Sequence, residues 1–326
     1  MAGHMAKWWM AAAGLVAGLH SAGWAQEQAW PQRAIRIIVP FAGGSGSDAT
    51  ARYYAEKMAP MLGQPIIVEN KPGADGAIGM AAAKAAPADG YTLVQGGISP
   101  SVVNAVLVKD LPYDPVKDFV PLLGYGRNMN VLVTGPGSPH ADLSSVLRRA
   151  REGDVPLNVG TFSTTLSLAV SWLASATQSK FTNIPYKGQA QVLTDVMGGQ
   201  VDLGLVDLGG ASTLIRNGKV RALAVTGEQR SPDFPQVPTV RESGAQDYVL
   251  YSWNAFFVRS ETPEHIRTRL AQAIRAVMVA PETVEKFYRP KGTEGVPLAA
   301  DRMRALQLEE IERFRKIAQS VAPAAR

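Results

Sequence analysis

The stretch Ile35-Arg36-Ile37-Ile38-Val39-Pro40-Phe41-Ala42-Gly43-Gly44-Ser45-Gly46-Ser47-Asp48 decides the reading of the chain. Its first five residues are mostly β-branched and read as a strand. The glycines and serines after Phe41 read as a turn, and a helical pattern runs from about Ala49 to Leu62, stopped by Gly63. A strand that enters a helix through such a turn leaves backbone N–H groups pointing away from the helix start, where the helix adds about half a positive charge. That is a ready anion site. The plainer alternative is a tight turn with Ser47 or Asp48 as N-cap. No Lys-Ser/Thr pair follows the glycines, so the loop is not a P-loop. Ala49 stands where the third glycine of a dinucleotide fingerprint belongs.

Working outward, strands and helices alternate. Ile66–Val68 and Tyr91–Val94 read as strands, with a turn over Lys71–Gly76 and an Ala-rich helix over residues 77–86 between them. This is the signature of a parallel α/β sheet. A second unit repeats it. Asn130–Thr134 is a strand, and Leu143, Val146, Leu147 and Ala150 share a helix face. Leu157–Gly160 opens a further strand into a Ser/Thr-rich loop, and the helix after it is apolar nearly all round, as buried helices are. Val192, Leu193, Val196 and Met197 mark another helix, with Val201–Val206 and Arg221–Thr226 as strands around a short one. In the last part Thr262-Pro263 reads as a cap followed by proline at the first helical position. The final helix turns Met303, Leu306, Phe314 and Ile317 inward and pairs Glu309 with Arg313 and Glu312 with Lys316.

The fold class expected is α/β: a two-lobe clamp with a parallel-rich mixed sheet in each lobe and a hinge of two crossings. Gly124–Asn128 is one candidate crossing and Tyr248–Trp253 the other. One lobe spans residues 26–127 plus 250–326, the other residues 128–249.

Composition narrows the function. The chain has 326 residues, 46% apolar and 19% charged, with a net charge of +5 and no cysteine. That excludes disorder, disulfides and thiolate chemistry, and with four histidines it leaves no zinc-ligand spacing. The 33 basic and 28 acidic residues form no basic run, so no nucleic-acid partner is expected. Residues 1–25 read as a secretory signal: Lys7, an apolar core from Met10 to Leu19, and small residues before a cut after Ala25. The expected location is a bacterial periplasm.

The loop Gly160-Thr161-Phe162-Ser163-Thr164-Thr165 is the counterpart of the first loop. Its hydroxyls stand at the start of a buried helix, as donors to a carboxylate or as ordinary caps. One such loop per unit favours a shared binding cleft. Candidate ligand residues are Phe41, Gly43, Gly44, Ser47, Asp48, Ser99, Thr161, Ser163, Thr164, Thr165 and Asp207, with weaker support for Ser101. Asp207 fits a helix cap better than a ligand group. Lys187 reads as a solvated lysine, Trp253 as packing near the hinge, Tyr186 as core. His140 and His265 lack a nucleophile elbow beside them. No catalytic residue, metal or cofactor is expected.

Together these stretches resemble Bug-type (TctC-like) receptors, the extracytoplasmic solute-binding components of tripartite tricarboxylate transporters. The resemblance rests on Ile37–Phe41 with Gly43-Gly44 and Asp48–Arg52, Val68–Ala74, Asp89–Leu93, Leu111–Pro115 with Lys117–Phe119, Pro185–Gly188, Gly199–Asp202, Gly218–Thr226 and Val237–Thr239. It implies a monomeric, flytrap-like periplasmic receptor that captures a small carboxylate through backbone amides, hydroxyls and waters and hands it to integral-membrane subunits. Phe41 and Gly43–Asp48 match the family's first-lobe ligand loop, and Thr161, Ser163, Thr164 and Thr165 occupy the second. The family's second loop is Gly- and Ser-rich and precedes a His-Leu pair. Here Phe162 replaces a small residue and Ser167-Leu168 stands where His-Leu is expected. The alternatives are a receptor feeding a membrane sensor and, with fewer acid–base groups to support it, a periplasmic enzyme acting on a carboxylate.

Overall fold

The computed structural model describes residues 30–321, so the signal segment 1–25 lies outside the described residues. In chain order the first elements are β1 (Ile35–Val39), α1 (Gly46–Leu62), β2 (Ile66–Asn70), α2 (Ala77–Lys84), β3 (Thr92–Gly97) and α3 (Asn104–Leu107). Then come β4 (Phe119–Thr134), α4 (Leu143–Glu152), β5 (Leu157–Thr161), α5 (Thr164–Thr177), β6 (Phe181–Pro185), α6 (Gln189–Met197), β7 (Leu203–Asp207), α7 (Leu208–Arg216) and β8 (Arg221–Val225). The chain closes with β9 (Tyr251–Arg259), α8 (Glu264–Val279), β10 (Thr293–Glu294), β11 (Leu298–Ala299) and α9 (Ala300–Val321).

The strands form one path, β2-β1-β3-β9-β4-β7-β5-β6, with β8, β10 and β11 also on β4. The first unit holds β2, β1 and β3 in parallel, then β9 antiparallel between β3 and β4. The second holds β5, β6 and β7 in parallel, with β4 antiparallel to β7 and β8. Strand β4 belongs to both. From Phe119 to Met129 it pairs with β9, and from Asn130 onward with β7 and β8. The change of partner falls just past Gly124–Asn128, so the extended segment that runs between the units there is part of a strand.

Local chemistry explains why the strand hides in the sequence. Its register shifts between Pro121 and Leu123 and between Gly124 and Gly126, and bulges tolerate a proline that cannot donate. A side chain at Gly124 would run into the Met303 sulfur of α9, so the pattern breaks where a helix presses on the sheet.

Elsewhere the elements follow their residues. Ile35, Ile37, Ile38 and Val39 are fully buried in β1. Gly63 ends α1 in the left-handed conformation at φ 73°, a role glycine fills at little cost. Helix α4 buries Leu143, Val146, Leu147 and Ala150 on one face. Two expectations need correction. Pro263, not Thr262, is the N-cap of α8, and the buried Thr262 hydroxyl has no hydrogen-bond partner. On α9, Arg313 pairs with Glu310 and Arg315 with Glu312, at i,i+3 rather than the expected i,i+4. Glu310 is buried beside Arg313, while Glu309 is exposed and out of reach.

Where the units meet, Thr226 ties the connecting segments together. Its hydroxyl, fully buried, accepts from the Asn130 N–H at 2.9 Å and lies 2.6 Å from the Leu250 carbonyl to which it donates. The Asn130 amide also reaches the Ser252 hydroxyl at 3.3 Å. Arg127 lies over the Tyr251 ring at 3.9 Å and pairs with Glu294 at 2.8 Å. Among the described residues no helix is long and apolar enough to cross a membrane.

Candidate functional site

The first loop is held by one carboxylate. Asp48, 4% exposed, accepts from the Gly44 N–H at 2.9 Å, from Arg52 Nε at 3.0 Å and from Asn70 Nδ2 at 2.9 Å. Asn70 also donates to the Phe41 carbonyl at 3.1 Å. The Arg52 hydrogen bond, with the Gly44 amide, holds the Asp48 carboxyl down at about 2. Ser45, rather than Ser47 or Asp48, is the N-cap of α1, accepting from the Asp48 N–H at 3.2 Å. This is a capping arrangement in which the third helical residue reaches back to the loop. Gly44 sits at φ 81°, where a Cβ is strained. The N–H groups of Gly46 and Ser47 are the first of the helix and have no carbonyl a turn below them. The loop therefore presents donors, while Asp48 serves its shape.

The second loop is built differently. Thr161 is fully buried, donates to Asn183 Oδ1 at 2.7 Å and lies 2.9 Å from the Ser167 hydroxyl. Ser163 is the N-cap of α5, accepting from the Leu166 N–H at 3.3 Å. Phe162 is partly buried and packs on the core. The next two hydroxyls reach the other unit: Thr164 donates to the Asp75 carboxylate, and Thr165 lies 2.9 Å from the Ser99 hydroxyl. Residues expected from both units, Ser99, Thr164 and Thr165, are thus brought together.

Asp207 stands apart from that cluster. It is the N-cap of α7, accepting from the Gly210 N–H at 3.1 Å. Its backbone is paired with the Gln189 amide at 2.8 and 3.3 Å. Burial pushes its carboxyl up to about 6. The adjacent Gly209 touches the turn Arg289–Lys291 so closely that a methyl group there would overlap the Lys291 carbonyl. This is a second seam between the units.

The weaker candidates fall as their chemistry suggests. Ser101 is fully buried and its hydroxyl is unpartnered. Trp253, 4% exposed, packs in the core. Tyr186 is only half-buried and donates to Asp195 at 2.7 Å. It borders a surface hollow over α6 with Ala190, Gln191 and Thr194, and that hollow includes none of the candidate ligand residues. Lys187 and His265 are exposed. Among the described residues no group of three His, Cys, Asp or Glu side chains is placed to hold a metal.

Sequence reasoning missed Asn70, Arg52 and above all Asp75. Asp75 is an acidic residue inside the turn Lys71–Gly76, and nothing local to it marks the contact it makes with Thr164. Ala74 and Asp75 both take positive φ, 48° and 47°, which an Asp side chain tolerates better than most.

A family model described as a tripartite tricarboxylate transporter family receptor matches residues 50–322. Protein BugT of Bordetella pertussis is 33% identical over 288 residues, covering 87% of this chain and 88% of that one. The solved structure of R. palustris Rpa4515 with adipate is 29% identical, covers 90% of this chain and 98% of its own, and superposes with a TM-score of 0.81. MatC from Rhodopseudomonas palustris with bound malate is also 29% identical, with coverage of 88% and 99% and a TM-score of 0.78. These neighbours share the two-lobe periplasmic binding protein fold.

Proposed function

Because the chain belongs to the receptor family of the tripartite tricarboxylate transporters, we propose that it captures a small carboxylate between its two units in the periplasm and delivers it to integral-membrane transporter subunits. Solute binding is the role that family and neighbours share, and the names are those of a receptor rather than an enzyme. The carboxylate, the delivery and the partner are the further step. The observation that carries it is the meeting of Thr164 and Thr165, at the start of α5, with Asp75 and Ser99 of the other unit. That contact supports a cleft with the two loops on its opposite sides. Neighbours bound to adipate and malate support the ligand class.

In this reading the ligand carboxylate accepts from the Gly46 and Ser47 N–H groups, which need no rearrangement because Asp48 already holds the loop. The Thr164 and Thr165 hydroxyls close from the other side. The units move about the segments joined by Thr226, so the lobes are residues 26–127 plus 250–326 and residues 128–249. Residues 1–25 are removed on export, and the receptor is a monomer that carries no cofactor.

The test is a thermal-shift screen of the purified protein, confirmed ligand-free by mass spectrometry, against mono-, di- and tricarboxylates, aromatic acids and amino acids. A ligand at about 100 times its Kd stabilises by about 2.7 kcal/mol, a shift of several degrees. A response confined to carboxylates supports the reading; silence toward all of them removes it. A pull-down of membrane proteins with the loaded receptor tests the transporter partner.

A further inference from the structure

We infer that Asp75 is the specificity-determining residue of the cleft: its carboxylate bars a second ligand carboxylate from the α5 end and favours a ligand carrying one carboxylate and, at its far end, an ammonium or other hydrogen-bond donor. The inference rests on the carboxylate-cleft reading above and narrows it.

Three observations carry it. First, Asp75 is the acidic side chain that reaches across the units, since its Oδ2 accepts from the Thr164 hydroxyl at the first position of α5. A hydroxyl and helix end that would otherwise receive a ligand carboxylate are already turned toward an internal one. Second, no ion pair matches that carboxylate. None of the ion pairs among the described residues includes Asp75, and Lys71 of the same turn is paired with Glu69 at 2.7 Å. Third, Asp75 is half-buried at the seam, where like charges are poorly screened. The first loop differs: its one carboxylate, Asp48, is turned inward and matched by Arg52. In this reading the cleft has one end made of N–H donors and another that presents a carboxylate acceptor. A ligand bound by its carboxylate at the first loop meets Asp75 with its other end.

The experiment compares two matched series on the purified protein by isothermal titration: α,ω-dicarboxylates of three to six carbons and the ω-amino acids of the same lengths. Wild type and Asp75→Asn are measured side by side. Asparagine keeps the size of Asp and its tolerance of positive φ, so the variant folds, and its melting temperature checks this. Wild type is expected to favour the amino acid over the dicarboxylate of equal length. Asp75→Asn is expected to move that ratio toward the dicarboxylate by at least about tenfold, the scale of a unit-charge interaction at a partly screened site. A wild type that prefers the dicarboxylate, or a ratio that moves less than about threefold, overturns the assignment while leaving the cleft standing. Silence of both proteins toward both series overturns this assignment, and the cleft reading then stands or falls on the wider carboxylate screen.

Discussion

The two strand-to-helix loops, one in each unit, are held in opposite ways. The first, Phe41–Asp48, is braced from behind: one buried carboxylate gathers Gly44, Arg52 and Asn70, and the loop keeps its shape whatever the other unit does. The second, Thr161–Thr165, spends its hydroxyls. Thr161 is committed to Asn183 and Ser167, Ser163 caps its own helix, and Thr164 and Thr165 are bonded to the opposite unit. One side is braced within its own unit and the other is bonded across to the opposite unit. Preorganised donors bind without an ordering cost, whereas exchanged ones add only the difference between two partners.

The largest effect expected from this contrast is at Asp48. Asp48→Ala strips three donors of their acceptor and is expected to destabilise by about 3 kcal/mol, with carboxylate affinity falling at least about tenfold by titration calorimetry. Thr161→Val in the second loop removes a fully buried hydroxyl and is expected to cost about 1–2 kcal/mol in denaturant unfolding, with affinity changed by less than about threefold. Equal affinity losses in the two variants would break the contrast. Gly44→Ala forces a Cβ onto a residue at φ 81° and is expected to cost about 1–2 kcal/mol, read as a lower unfolding midpoint together with weaker binding. An unchanged midpoint would mean that the loop is not held as rigidly as its hydrogen bonds imply.

The smallest effect sharpens the contrast through pH. The Asp48 carboxyl is held at about 2, below its ordinary 3.8. The folded state therefore binds that proton less readily, so its stabilisation is complete above about pH 4 and is lost as the pH falls toward 2. The Asp207 carboxyl is raised to about 6 from 3.8. The folded state there binds the proton more readily, so stability declines as the pH rises from about 4 to 6. Asp207→Asn, which keeps a capping oxygen for the Gly210 N–H, is expected to flatten that decline in thermal unfolding at pH 4, 5, 6 and 7. An undiminished slope would show that another group titrates there.

What was legible in the sequence depended on whether a residue's role was local. Ile35–Val39 announces a strand because β-branched residues line up beside a turn, and Gly63 ends α1 in the conformation glycine favours. The face of α4 follows from spacing alone. Strand β4 was legible only from Asn130 onward, because Pro121, Gly124 and Gly126 answer to bulges and to Met303 and Thr293 beyond them in the chain. Of β9, only its start within Tyr248–Trp253 was legible, as a candidate crossing. Ser45 lost the cap to Ser47 and Asp48 in the reading because all three suit it, and only the Gly44 and Asn70 contacts decide. Asp75 was illegible as a site residue because its partner, Thr164, is 89 positions away.

The place of β9 between β3 and β4 has a consequence for how the chain assembles. Every strand of the second unit apart from β4 lies between residues 157 and 225, so that unit closes on neighbours in sequence. The first sheet cannot close early: β3, ending at Gly97, waits for Tyr251–Arg259 to arrive and slide in beside β4. Pairings across such separations form slowly, since a long loop must be ordered before any contact rewards it. During that interval the edges of β3 and of the first part of β4 are bare, and bare edges recruit strands from other chains. A nascent chain held extended until residue 259 has emerged escapes that hazard, so export in an unfolded form suits the order in which this sheet is built.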